Sequence, residues 1–379
     1  MELLKAIVRR VPIEVKYTLL LFITTRLALT LIGVMARISL EPYHGKYYVW
    51  SFSPRLWLDI WGVWDTGWYV NIATNGYSSQ LSSAPATLDQ ANYAFFPLYP
   101  MLMHYLGIII GDNFVSGIIV SNCSFIIGSI AFYRLMRRHY DEETALRGIK
   151  YLFLFPTAFI LSGVFSESTF FMLLILCVFY GEQQKWILAG IAGFFLSLTR
   201  FVGVLVILPL IIGYLKSVNW SFKKVSPSML PIILIPAGLL AFSFYNYLLT
   251  GDFLAFVHIQ SSWGRSLVNP IVKLYLHLLY YDVYESFISG FTIIWLGLLI
   301  IFSRKLLLPY FLIAFLFTMI PLFTGVASMP RYLLVVFPIY IILAELAQNR
   351  HLDMVATIIL AIFQGFLMVF WCNGFYFVV

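Results

Sequence analysis

Apolar runs long enough to cross a bilayer recur along this sequence from one end to the other. The first, YTLLLFITTRLALTLIGVMARISL (17–40), carries only Arg26 and Arg37 as charges. A hydrocarbon core takes roughly 20 apolar residues as helix. Lipid offers backbone N–H and C=O groups no partner, so such a run must satisfy them internally. Comparable runs follow at 112–133, 149–163, 168–181, 186–199, 201–215, 228–249, 286–302, 306–322, 332–347 and 353–375. The whole chain is 61% hydrophobic and 11% charged, with a mean hydropathy of +0.90. A soluble domain is about half apolar and about a quarter charged. The short alternating segments of a membrane β-barrel are missing. The expectation is an all-α polytopic integral membrane protein: a single domain over 1–379 with about 11 transmembrane helices.

Positive charge sets the threading. A run near 94–110, opened by Pro97 and Pro100, is ambiguous in length. If it does not cross fully, one side of the membrane collects Lys5, Arg9, Arg10, Lys16, Arg134, Arg137, Arg138, Arg147, Lys150, Lys185, Lys216, Lys223, Lys224, Arg304, Lys305 and Arg350, which is 16 of the 24 basic residues. Basic loops stay cytoplasmic. The reading is therefore a cytoplasmic N-terminus and a re-entrant or interfacial segment at 94–110. Two large segments, 41–111 and 250–285, then lie outside, with a short external turn at 324–331. The N-terminal stretch lacks a small-residue cleavage site and reads as a retained first helix. The net charge of +7 reflects this loop bias and implies no nucleic-acid partner. Cys123, Cys177 and Cys372 lie in apolar runs without metal-type spacing and read as packing residues. No internal repeat, Walker A or dinucleotide fingerprint is present, which argues against an ATP-driven pump.

The external charges left over are few. Asp65 sits in WDTGWYVNIATNGY (64–77), where Trp61, Trp64 and Trp68 recur at helical spacing. That spacing would lay three indoles along one face of a short interfacial helix. Asp65 beside that face is either a helix cap or a partly desolvated carboxylate suited to accept a proton. Glu167, in VFSESTFF, is either a helix-start acid behind an N-cap Ser166 or part of a site. Arg200, Arg265 and Arg331 each have a bland reading as snorkelling residues. Around one pocket, three arginines would hold a phosphate bidentately. Arg26 lies mid-span and calls for an internal partner. His104 and His258 form no metal pattern by spacing, and no DxD or HExxH is present. A structural role is the plain reading for both, although His258, Gln260 and Trp263 are also suited to sugar hydroxyls.

The W-D pair, IATNGY and FFPLYP, then FPTAFILSGVFSESTFFMLL, KWILAGIAGFFLSLTRFVGVLVILP, QSSWGR and SMPRYLLVVFPIY resemble, in order, the bacterial members of the PIG-V family, the GPI α-1,6-mannosyltransferase type. The likeness covers about 20–375. It implies a GT-C glycosyltransferase fold in a bacterial inner membrane, with the site on the external face. The donor implied is a polyprenyl-phosphate sugar, mannose by analogy, with no metal or other cofactor. The acceptor, whether glycolipid, glycan or protein, stays open. The resemblance assigns Asp65 as the base. Substrate binding falls to Arg200, Arg265, Arg331, Glu167, His258, Gln260, Trp263, Trp64 and Trp68. Two other readings fit the residues: a lipid or amphiphile transporter or flippase, and a non-catalytic subunit of an envelope assembly. The absence of an inverted repeat and the bulky external loop weigh against transport.

Overall fold

The computed structural model describes residues 11–40, 51–84 and 87–378, which excludes Lys5, Arg9 and Arg10 of the basic set. Among the described residues there is helix and no strand. The order is α1 (Ile13–Ser39), α2 (Leu56–Asp59), α3 (Thr66–Asn75), α4 (Leu98–Ile110), α5 (Asn113–Met136), α6 (Glu142–Leu154), α7 (Glu167–Glu182), α8 (Trp186–Ser197) and α9 (Ile207–Ser217). Then come α10 (Leu234–Thr250), α11 (Ala255–His258), α12 (Pro270–Tyr280), α13 (Val283–Phe302), α14 (Leu308–Leu322), α15 (Met329–Leu334), α16 (Pro338–Leu346) and α17 (Arg350–Cys372).

Among the described residues, five helical stretches are long and apolar enough to cross a bilayer: Ile13–Ser39, Asn113–Met136, Pro227–Thr250, Val283–Lys305 and Arg350–Cys372. Their outer faces leave Leu20, Leu27, Leu31, Ile300 and Ile362 uncovered by protein. Water would make that surface costly, whereas lipid does not. The protein is an integral membrane protein. The remaining apolar runs also carry helix, but in shorter pieces. The 149–163 run is not one helix. Asp141 caps α6 by accepting from the Thr144 N–H at 2.7 Å, and Pro156 forces Phe155 out of the helical region. A 3-10 turn, Ala158–Ser162, follows inside the protein. The 332–347 run likewise splits between α15 and α16, with Pro338 opening the second.

The ambiguous 94–110 stretch becomes α4, whose 13 residues span about 20 Å, short of the roughly 30 Å of a hydrocarbon core. Gly111, at φ 84, turns the chain directly into α5, whose cap Asp112 accepts from the Val115 N–H. Tyr105, Ile108 and Ile109 form an outward apolar face on α4.

The core is built on neighbours in sequence: α5 on α7, α7 on α8, and α8 on α10, with α1 against α17 and α6 against α16. Glycines allow the closest approaches. A methyl group on Gly190 would stand 2.2 Å from the Pro231 carbonyl oxygen, and one on Gly238 2.3 Å from that of Phe194. The two ends of the bundle differ in chemistry. Glu182 closes α7 at one end, taking Arg138 and His139 at 2.9 Å and the Tyr310 hydroxyl at 2.7 Å. Glu167 opens the same helix at the other end, about 22 Å away along 15 residues of rise. That end carries the site.

Candidate active site

The segment before Asp65 does not form the single helix its tryptophan spacing predicts. Helix α2 ends at Asp59, and Trp64 takes φ 52, a conformation costly for a bulky residue. Trp61 is buried beneath the turn, Trp64 forms it, and Trp68 stands on the next helix, α3. Gly62 makes the turn possible: a methyl group there would meet the Phe114 and Phe52 rings at 2.5 and 2.7 Å. The turn is pinned from behind by Val164, whose N–H donates to the Trp61 carbonyl at 3.0 Å and whose carbonyl accepts from the Thr66 hydroxyl at 3.3 Å.

Asp65 occupies the N-cap position of α3, yet its side chain makes no capping bond. It is turned to Arg331, whose Nη1 donates to Oδ2. Glu167 stands at the first position of α7 and is fully buried. Its Oε1 accepts from Arg331 Nε and from Arg200 Nη1, while Oε2 has no partner among the described residues. Its neighbour Ser166 does not cap through its side chain either; that hydroxyl is hydrogen-bonded to Tyr69 at 2.9 Å. Four side chains from three distant parts of the sequence thus form one chain of charge: Asp65, Arg331, Glu167, Arg200. A buried carboxylate is tolerated only when paired this closely.

Arg331 reaches the cluster because α15 starts abruptly. Ser328 is buried at φ 63, and Met329 and Pro330 begin the helix at once. The Thr157 hydroxyl holds the Pro330 carbonyl at 3.1 Å. The Arg331 guanidinium lies 4.6 Å over the Phe165 ring. Arg26 braces the 3-10 turn Ala158–Ser162 that follows Thr157. Its Nη1 donates to the Ala158 carbonyl at 3.1 Å and to the Ser162 hydroxyl at 2.7 Å, and it lies over the Phe125 and Phe153 rings. The expected internal partner is therefore a 3-10 turn's backbone carbonyl and a hydroxyl, not an acid.

The cluster borders a cleft of about 1410 Å³. Of the sequence candidates, Asp65, Arg200, Arg265, Arg331, Gln260, Trp263, Trp64 and Trp68 line it. Glu167 lies behind the wall, and His258 is not among the lining residues. His258 is exposed and bonds Asp252 at 2.6 Å, which together with the Leu254 N–H holds that carboxylate below its ordinary range. His104 bonds the Ala73 carbonyl at 2.7 Å, a structural contact. Trp68, Phe95 and Trp263 form a three-ring box with centroids 5.8 to 6.1 Å apart. Arg265 has no acidic partner among the described residues; its guanidinium stands 5.3 Å over the Tyr332 ring, with Arg200 at 5.0 Å over the same ring.

Sequence reasoning missed Tyr332, Phe95 and Tyr376, all in the cleft wall. Tyr332 adjoins Arg331, which was a usable signal. Nothing in the local sequence of Tyr376 distinguishes it from the aromatic residues around it.

No protein-family model matches the chain, and no curated protein matches it. Solved structures similar to it include the oligosaccharyltransferase of Archaeoglobus fulgidus. In the apo form the TM-score is 0.47 at 11% identity, covering 94% of this chain and 56% of that chain. For the A. fulgidus AglB structure in complex with an inhibitory peptide and a dolichol-phosphate, the values are 0.46, 12%, 94% and 56%. The chain spans about half the length of these proteins, and a likeness at this level assigns no activity.

Proposed function

We propose that this protein is a membrane glycosyltransferase that moves a sugar, mannose by analogy, from a polyprenyl-phosphate donor to an acceptor hydroxyl, with Asp65 as general base. The observation that carries this reading is the placement of Asp65 in a large cleft where one guanidinium links it to Glu167 and another arginine, Arg265, has no acidic partner among the described residues. The resemblance of the ordered segments to bacterial PIG-V relatives supports it, with a GT-C fold and an external site as its corollaries. The cleft opens at the end of the bundle opposite the basic residues, which accords with an extracytoplasmic site by the charge bias of membrane insertion.

In the proposed step the acceptor oxygen attacks the anomeric carbon as the Asp65 carboxylate takes its proton. The bond from that carbon to the phosphate oxygen breaks, and polyprenyl phosphate leaves with the electron pair. Displacement from the far face inverts the anomeric centre. Phosphate is a far better leaving group than a sugar alkoxide, so a single carboxylate suffices where glycoside hydrolysis uses two. Charge appears on the departing phosphate, and a preorganised guanidinium stabilises it. Arg265 suits this role best, because Arg331 and Arg200 already serve Glu167. Glu167 then acts by fixing those two arginines. The aromatic box excludes water from the reactive centre.

The test is incubation of the purified protein with radiolabelled polyprenyl-phosphate mannose and membrane glycolipid acceptors. Transfer of label that is lost in Asp65→Asn supports the reading. Uptake into proteoliposomes without covalent transfer identifies a transporter instead and overturns it.

A further inference from the structure

Beyond Cys372 the chain does not continue the line of α17. The Gly374 and Phe375 N–H groups turn back onto the Trp371 and Phe370 carbonyls at 3.0 Å, with Gly374 at φ 80. The residues on either side of Tyr376 are anchored. Phe375 packs on Phe370 at 5.1 Å, Phe377 on Phe370 at 5.0 Å and on Tyr284 at 4.7 Å, and Val378 is buried in the core. Tyr376 is only half-buried and lies in the wall of the cleft. Its ring meets that of Trp64, the residue before Asp65, at 4.5 Å and 50°.

We infer that Tyr376 is a specificity-determining residue: with Trp64 it forms an aromatic corner that takes the sugar ring of the donor beside Asp65. The inference rests on the glycosyltransferase reading. The two rings touch each other at a tilt and both line the cleft, and the C–H face of a pyranose is complementary to an aromatic face. The anchored flanks hold the ring in place before substrate arrives, so little rotamer freedom remains to be lost on binding. Tyr376 serves the cleft: Phe375 and Phe377 are half-buried like it, but of the three only Tyr376 lines the cleft.

The experiment compares the binding of polyprenyl-phosphate mannose and of bare polyprenyl phosphate to purified wild-type protein and to the Tyr376→Phe, Tyr376→Leu and Tyr376→Ala variants. Tyr376→Leu retains apolar bulk against Trp64 and keeps the test open if Tyr376→Ala fails to fold. The expected result is about a tenfold loss for the sugar-bearing ligand in the Leu and Ala variants. Bare polyprenyl phosphate should change less than about twofold, and Tyr376→Phe, which keeps the ring, should lose less than the Leu and Ala variants. Equal losses for both ligands would show that the ring acts through the fold or the phosphate, and would overturn the inference. Unchanged affinity for the sugar-bearing ligand would overturn it while leaving the proposed function standing. Wild-type protein that binds neither ligand would remove both.

Discussion

Two acids share one arginine at this site, and their burial separates their roles. Asp65 has a side chain 22% exposed and faces the cleft, whereas Glu167 is fully buried behind it. Removing the Asp65 charge leaves Arg331 with Glu167 and with nearby solvent, so the effect on stability resembles that of a partly exposed pair, about 1 kcal/mol or less. Under the proposed function its effect on transfer is that of a lost general base, a fall of roughly a hundredfold or more. Asp65→Asn should therefore keep its melting temperature in detergent and lose turnover of polyprenyl-phosphate mannose; near-normal turnover would dismiss the base. Glu167→Gln should behave in the opposite sense. It leaves two buried guanidiniums with too little negative charge, and breaking such a buried set costs about 3–5 kcal/mol. A clear drop in melting temperature is expected, and an unchanged one would mean that Glu167 does not hold the arginines. At this scale the sequence was informative about identity but not about partnership. Asp65, Arg200, Arg331 and Glu167 stand out as charges that a membrane protein does not keep idly. That Arg331 bridges the two acids depends on contacts 164 and 266 residues apart, which no local pattern records.

At the scale of elements, apolar length located helices well and their interruptions poorly. The run 149–163 reads as one span, but the helix starts earlier, at the Asp141 cap, and ends at the Phe155–Pro156 step. The cap and the proline were both visible, and the length of the apolar run outweighed them. The tryptophan spacing at 61, 64 and 68 misled for a different reason: tertiary contacts to Val164 impose a left-handed turn that spacing cannot register. The Asp141 cap yields a prediction of its own. The Thr144 backbone N–H, bonded to its carboxylate, holds Asp141 below its ordinary value of 3.8. A depressed folded-state value means that the stabilisation is complete above 3.8, the unfolded reference, and disappears as pH falls through the lower folded value. Asp141→Ala should cost about 1 kcal/mol near neutral pH. Melting curves of the variant and wild type should converge only below about pH 4. A gap that does not narrow at all as pH falls below 3.8 would mean that the cap does not act through its charge.

For the molecule as a whole, the separation of cleft and basic loop residues is what the proposed orientation in a membrane rests on. Lys216, Lys223, Lys224, Arg304, Lys305 and Arg350 follow or precede helices at the end away from Glu167, together with the Arg138–Glu182 network. The segments 51–84 and 250–269, which build the cleft, lie at the other end. By the positive-inside bias the proposed orientation has the cleft outside. That proposal needs no fold, because charge counting needs only the order of the spans. The cleft itself was not legible in the sequence, since its walls come from six separated stretches. Single cysteines introduced at Ser83 and Lys223, both exposed, test the orientation once Cys123, Cys177 and Cys372 have been replaced by serine or alanine. In intact spheroplasts a membrane-impermeant maleimide should label position 83 and spare position 223, and permeabilisation should make both reactive. The reverse pattern would put the cleft on the cytoplasmic side, and an external polyprenyl-phosphate donor could no longer reach Asp65.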